Sequence, residues 1–246
     1  MTYCVGLMLK RGLVFMSDTR TNSGVDNIST FRKMFTWQVP GDRSITLMTA
    51  GNLATTQAVV SLIDERSKHP SERNPDILSA PSMFQVATMV GSLLKEVIST
   101  HAQVGQRADT TFNATLILGG QIGDGEPRLF LIYPEGNFIE ASTDTPYFQI
   151  GETKYGRPIL VRAYDEYMSF EEAVKLLLVS FDSTIKANLS VSLPLDVHAY
   201  QANSLKNGRQ FRITQDSPYF ETISSGWGIA LRDAFTQLPD FEFPEA

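Results

Sequence analysis

The chain has 246 residues, 42% hydrophobic and 20% charged, with a formal net charge of −6; this fits one large domain over residues 1–246 with a sizeable core. The acidic balance argues against a nucleic-acid partner, and no apolar run approaches the ~20 residues that would imply a membrane span. The single cysteine, Cys4, excludes an internal disulfide and fits a reducing cytoplasm, while His69, His101 and His198 lack metal-ligand spacing. Neither a metal nor another cofactor is expected.

Residues 2–10 and 13–18 alternate apolar and polar around Lys10-Arg11-Gly12 and predict a hairpin, with Cys4 as strand packing. A polar stretch from Thr19 to Thr30 interrupts the pattern. Phe31 to Val39 and Ser44 to Thr49 predict a second antiparallel pair, joined through Pro40-Gly41-Asp42, so the first fifty residues read as one meander. Gly51-Asn52 ends the last strand, and helical periodicity runs from Leu53 to Ser67. After a loop from His69 to Pro81, Ser82 and Gln85 make a capping-box pattern for a helix to His101.

Strands return at Asn113 to Gly119, Arg128 to Tyr133 and Asn137 to Ala141, separated by Gly- and Pro-containing turns. Gly119-Gly120-Gln121-Ile122-Gly123 lacks the helix and lysine of a phosphate loop and reads as part of a hairpin. Ser169 and Glu172 form a second capping box for a helix to Lys186. Late strands are expected at Ser192 to Tyr200 and Arg209 to Thr214, then a helix from Pro218 to Phe235 that Gly226 and Gly228 weaken. The tail from about Gln237 onward is expected to lie over a surface.

Antiparallel strands arriving in separate blocks, each followed by a one-sided apolar helix, predict an α+β fold: a four-layer α-β-β-α sandwich. A two-layer fold is the alternative if the late strands pair with the early meander.

The chemistry converges on Thr2. Removal of Met1 leaves a threonine with both a hydroxyl nucleophile and a free α-amine, which titrates near ~8 and can take the hydroxyl proton. Asp18 ends the second apolar run, Lys33 precedes the third, and Gly51 stands at a strand-to-helix junction where its N–H could meet an oxyanion. Taken singly, Asp18 and Lys33 read as a structural ion pair, and Gly51 as a turn glycine.

The segment from Thr2 to Arg20 resembles the amino terminus of mature proteasome-type β subunits, in which a threonine opens a strand, a basic-Gly turn reverses it and an acid ends the return strand. Lys33 in Arg32-Lys33-Met34 matches the family's lysine with the spacing one residue short, and Met48-Thr49-Ala50-Gly51 resembles its strand-end Ala-Gly. Met1 as the sole residue before Thr2, the long carboxy-terminal extension and Gly151 to Pro158 point to the bacterial Anbu branch, with its four-layer N-terminal-nucleophile fold. The resemblance implies a threonine peptidase or amidase acting on peptide or protein substrates in a homo-oligomer, a ring or an open spiral. Any ATPase or adaptor partner is left unnamed by it.

It further implies catalytic roles for Thr2, Asp18, Lys33 and Gly51 and a specificity pocket at Thr49. Arg20 reads either as organising the loop after Asp18 or as a solvated arginine. Two positions depart from the pattern. Glu152 follows the matched glycine where the family has serine. Asn188 replaces a supporting acid, with Ser190 or Ser192 in place of the supporting serine. These departures also allow a second reading, a self-assembling scaffold with little or no hydrolysis.

Overall fold

A computed structural model of the chain describes residues 2–22, 28–68, 76–102 and 112–244. β1 (Tyr3–Leu9) and β2 (Gly12–Asp18) form the expected hairpin, with Leu9 opposite Gly12. The stretch expected as a plain interruption instead carries two short antiparallel strands, β3 (Arg20–Asn22) and β4 (Ile28–Thr30). β5 (Met34–Val39) then pairs with β6 (Arg43–Gly51). Because β5 starts later than expected, Lys33 stands immediately ahead of it.

α1 (Leu53–Lys68) and α2 (Met83–Ala102) follow; residues 69–75 of the loop between them lie outside the described residues. β7 (Ala114–Ile122), β8 (Arg128–Ile132) and β9 (Phe138–Glu140) complete an antiparallel block. β7 runs through Gly119-Gly120-Gln121, which makes that glycine pair strand rather than a phosphate loop. Two elements were not expected from the sequence, β10 (Tyr147–Gly151) and α3 (Arg157–Ala163). α4 (Phe170–Ala187) starts at the predicted capping box, with the Ser169 and Glu172 side chains each bonding the other's backbone N–H. β11 (Leu195–Gln201), β12 (Arg209–Ile213) and α5 (Pro218–Thr236) close the chain.

The strands form two five-stranded sheets, ordered β10-β1-β2-β11-β12 and β5-β6-β7-β8-β9. The expected single meander is therefore divided: β1 and β2 lie in one sheet, β5 and β6 in the other. Late strand β11 does pair with β2, the condition set for a two-layer fold. Four layers result all the same, because the second sheet is built from strands that the hairpin does not join.

Strand alternation sorts the side chains into three cores. Tyr3, Val5, Leu7, Val14 and Met16 face α4 through Leu177 and Phe181. Cys4, Leu13 and Phe15 point the other way, against Met48, Ile117 and Leu129 of the second sheet. Ile45, Leu47, Leu116 and Leu118 pack against Val59, Ile63, Val90 and Leu94 of α1 and α2. Each such side chain stabilises the fold by roughly 1.5–3 kcal/mol relative to exposure, so slipping one strand by a residue would turn an apolar set outward. Among the polar groups buried between the sheets is the His198 ring, whose Nδ1 is 2.9 Å from Thr46 Oγ1.

α5 is different. It has no buried residue and exposes Ile229, Leu231 and Phe235, while the chain beyond it exposes Leu238, Phe241 and Phe243. Among the described residues, no helix is long and apolar enough to cross a membrane.

Candidate active site

The hairpin and the β5–β6 pair bring the predicted residues to one cleft of about 580 Å3, lined by Thr2, Thr21, Lys33, Thr49, Gly51, Asn52 and neighbouring residues. Thr2 directly precedes β1. Asp18 ends β2 and is placed opposite Tyr3, the residue after Thr2, by the β1–β2 pairing. Its Oδ1 accepts the Tyr3 N–H at 2.9 Å, which ties the first strand to the acid.

Lys33 reaches Asp18 from the other sheet. Its Nζ donates to Asp18 Oδ1 at 2.9 Å and Oδ2 at 3.0 Å, and to the Arg20 carbonyl at 2.6 Å. Arg20 thus enters through its backbone, and short strand β3 is what holds that carbonyl in place. Asp18 and Lys33 are only 0% and 4% exposed. Burial pushes the Asp18 carboxyl above its ordinary value, while Lys33 and the Tyr3 N–H pull it back down. A buried pair of this kind is a costly way to stabilise a fold, because desolvation offsets most of the attraction. Lys33 lines the same cleft as Thr2, and a cation so placed would lower the pKa of groups near it.

Thr49 and Gly51 follow from the register of β6. Thr49 N–H donates to the Lys33 carbonyl at 2.9 Å, so these two residues face each other across the strands. N–H groups two apart on a strand point the same way, which aims Gly51 N–H along the same side, past the start of β5. Asn52 N–H points oppositely, to Asn113 O at 2.9 Å. Gly51 is exposed and sits at φ +118°, where an added Cβ would lie 2.3 Å from Asn113 O. Only glycine fits that turn without strain. Asn52 then caps α1, with its Oδ1 accepting the Thr55 N–H at 3.0 Å. The cleft therefore offers one backbone donor beside a helix N-terminus, an arrangement suited to developing negative charge.

The supporting positions are brought close as well, though not in the way the sequence implied. Glu152 N–H donates to the Thr2 carbonyl at 2.6 Å. Its carboxylate accepts from Asn188 Nδ2 at 2.8 Å. Ser190 contributes its backbone N–H, to Asn188 Oδ1 at 2.9 Å. Ser192 is not drawn into this group by any hydrogen bond among the described residues. Thr21, Asn52 and Thr56 line the cleft but carried no sequence signal, since polar residues in a loop and at a helix start are ordinary. Met1 lies outside the described residues.

A family model for the proteasome subunit matches residues 2–192. The chain is 26% identical to a proteasome subunit beta of Haloquadratum walsbyi over 191 residues, covering 77% of this chain and 69% of that one. Among solved structures, it matches Anbu (ancestral beta-subunit) from Yersinia bercovieri with a TM-score of 0.92 and 48% identity, over 98% of this chain and 100% of that one. It also matches the helical assembly of the Anbu complex from Pseudomonas aeruginosa, with a TM-score of 0.91 and 43% identity over 98% of each chain. Both the family model and these structural matches extend across the cleft residues, and the chain belongs to the proteasome subunit family, in its Anbu branch.

Proposed function

We propose that this chain is a threonine-type amide hydrolase of peptides or proteins, acting through Thr2 after loss of Met1, in a homo-oligomer in a bacterial cytoplasm. Thr2 Oγ attacks the carbonyl carbon, and the α-amine takes the hydroxyl proton and returns one to the leaving amine. Lys33 keeps the amine partly neutral at working pH by its charge, and Asp18 holds the ammonium in place. Gly51 N–H receives the oxyanion, a contribution of about 3–4 kcal/mol for one such donor. Thr49, at the base of the cleft beside Lys33, borders the space for the substrate side chain.

The observation that carries this reading is the buried Asp18–Lys33 pair, bonded at 2.9 Å, whose Lys33 lines the same cleft as Thr2 and Gly51. The exposed apolar side chains of α5 and the tail support assembly, since a partner copy would remove them from water.

The test compares two preparations, one beginning at Thr2 and one with a residue left before it, for cleavage of a fluorogenic peptide amide. Hydrolysis by the first alone supports the reading, because an amide nitrogen in the second has no basic lone pair. Equal hydrolysis would require an internal base. A second reading, an assembling scaffold without hydrolysis, rests on Glu152 and Asn188 at the support positions; it predicts no cleavage by either preparation and the same assembly by both.

A further inference from the structure

The two departures at 152 and 188 are joined in space, and one of them, Glu152, is bonded through its backbone to Thr2. Gly151 ends β10 opposite Tyr3. It has φ +84°, and an added Cβ would lie 1.9 Å from the Thr2 carbonyl oxygen, so glycine is needed for the strand to close in on Thr2. Glu152 continues that register opposite Thr2, as its 2.6 Å bond to the Thr2 carbonyl shows. That bond sets the Glu152 backbone directly beside the Thr2 backbone.

Glu152 is only 8% exposed. Its Oε2 accepts from Asn188 Nδ2 at 2.8 Å, and its Oε1 is 3.3 Å from the Lys154 N–H. Among the described residues it forms no ion pair with a lysine or arginine. Neutral donors orient a carboxylate but do not balance its charge, and buried acids are rarely left so. Asn188 is itself oriented: Ser190 N–H occupies its Oδ1, which leaves its Nδ2 for Glu152. An aspartate at 188 would set two carboxylates in contact. The pair as built carries a single negative charge.

We propose that Glu152, oriented by Asn188, is a positioning residue for the Thr2 α-amine, the cation that its buried carboxylate otherwise lacks. The inference rests on the hydrolase reading above for its purpose, but not for its test. The amine then lies between two charges of opposite effect. Lys33 favours its neutral, basic form; Glu152 stabilises the ammonium that exists once the Thr2 hydroxyl proton has moved to nitrogen. No atom is gained or lost in this role: the proton goes from Oγ to the amine, and Glu152 neither gives nor takes one.

The experiment uses chains that begin at Thr2 and measures the α-amine pKa, from the pH dependence of acetylation of the amino-terminal peptide by acetic anhydride. Removing the charge with Glu152→Gln preserves size and the bond to Asn188, and is expected to lower the amine pKa by about one unit or more. Asn188→Asp adds a carboxylate at the same spot and is expected to raise it. The rate of β-lactone labelling of Thr2, measured alongside, falls roughly tenfold in Glu152→Gln. A merely structural role for Glu152 moves neither pKa, and unchanged values in both folded variants overturn the proposal. Should one variant fail to fold, the direction seen in the other decides. If the wild-type chain resists labelling while its amine pKa responds to Glu152, the hydrolase reading fails and this inference stands.

Discussion

At the amino-terminal cleft, Asp18 and Lys33 are almost wholly buried, and the hydrogen bonds between them and from Tyr3 and to Arg20 all lie within this chain. At the carboxy-terminal end, α5 has no buried residue, and Phe235 and Phe243 are 75% and 86% exposed. The first region is finished by the fold itself; the second presents apolar area to solvent. The proposed chemistry and the proposed assembly thus fall in different parts of the molecule, and substitutions should separate them.

The largest separation is expected from Thr2→Ala. It removes the nucleophile entirely, so labelling by an epoxyketone or β-lactone disappears, while stability stays within about 0.5 kcal/mol because no buried contact is lost. Sedimentation should show the same assembly as wild type.

Lys33→Ala touches both activity and fold, yet still within one chain. It leaves the Asp18 carboxylate buried without its cation, at an expected cost of about 3–5 kcal/mol in urea unfolding. Labelling falls to background in whatever fraction remains folded. A well-folded Lys33→Ala chain with near-wild-type labelling would break the assignment of the pair to the site.

Acid tests the interior separately from the surface. Burial lowers the His198 imidazole to about 4, against ~6.5 in the unfolded chain. Between those values the unfolded state binds the extra proton, so stability is full above about pH 6.5 and is lost as pH falls toward 4. The expected loss is about 3 kcal/mol. His198→Gln should flatten this limb of the stability–pH curve; an unaltered curve would assign the acid sensitivity to other groups.

The smallest stability change belongs to the carboxy-terminal surface. Phe235→Ser with Phe243→Ser should alter monomer stability by no more than about 0.5 kcal/mol, since both side chains are already in water. The same change should dissociate the assembly in sedimentation. An unaffected assembly would place the interface elsewhere.

The layers were legible because hydrophobic alternation survives in β1, β2 and β6, and capping residues mark the start of α4. Two elements were not. β10 presents just Phe148-Gln149-Ile150 as alternation, and α3, at seven residues, is too short for helical periodicity to declare itself. The division of the early meander between sheets was equally hidden, because hairpin signals are local and sheet membership is set by non-local pairing such as β2 with β11. Within the cleft, Thr2, Asp18, Lys33 and Gly51 could be read from spacing and resemblance. The bond between Glu152 and Asn188 could not, because 36 residues separate them and each looked like a loss when considered alone.

The central claim is that the Thr2 hydroxyl and amine act as one unit. Its most direct test is peptide mass mapping of the chain that begins at Thr2 after reaction with an epoxyketone, an electrophile that engages both groups. The account predicts one adduct on the amino-terminal peptide, with the α-amine no longer open to acetylation. An adduct on any other residue, or a free α-amine in the labelled peptide, would contradict it.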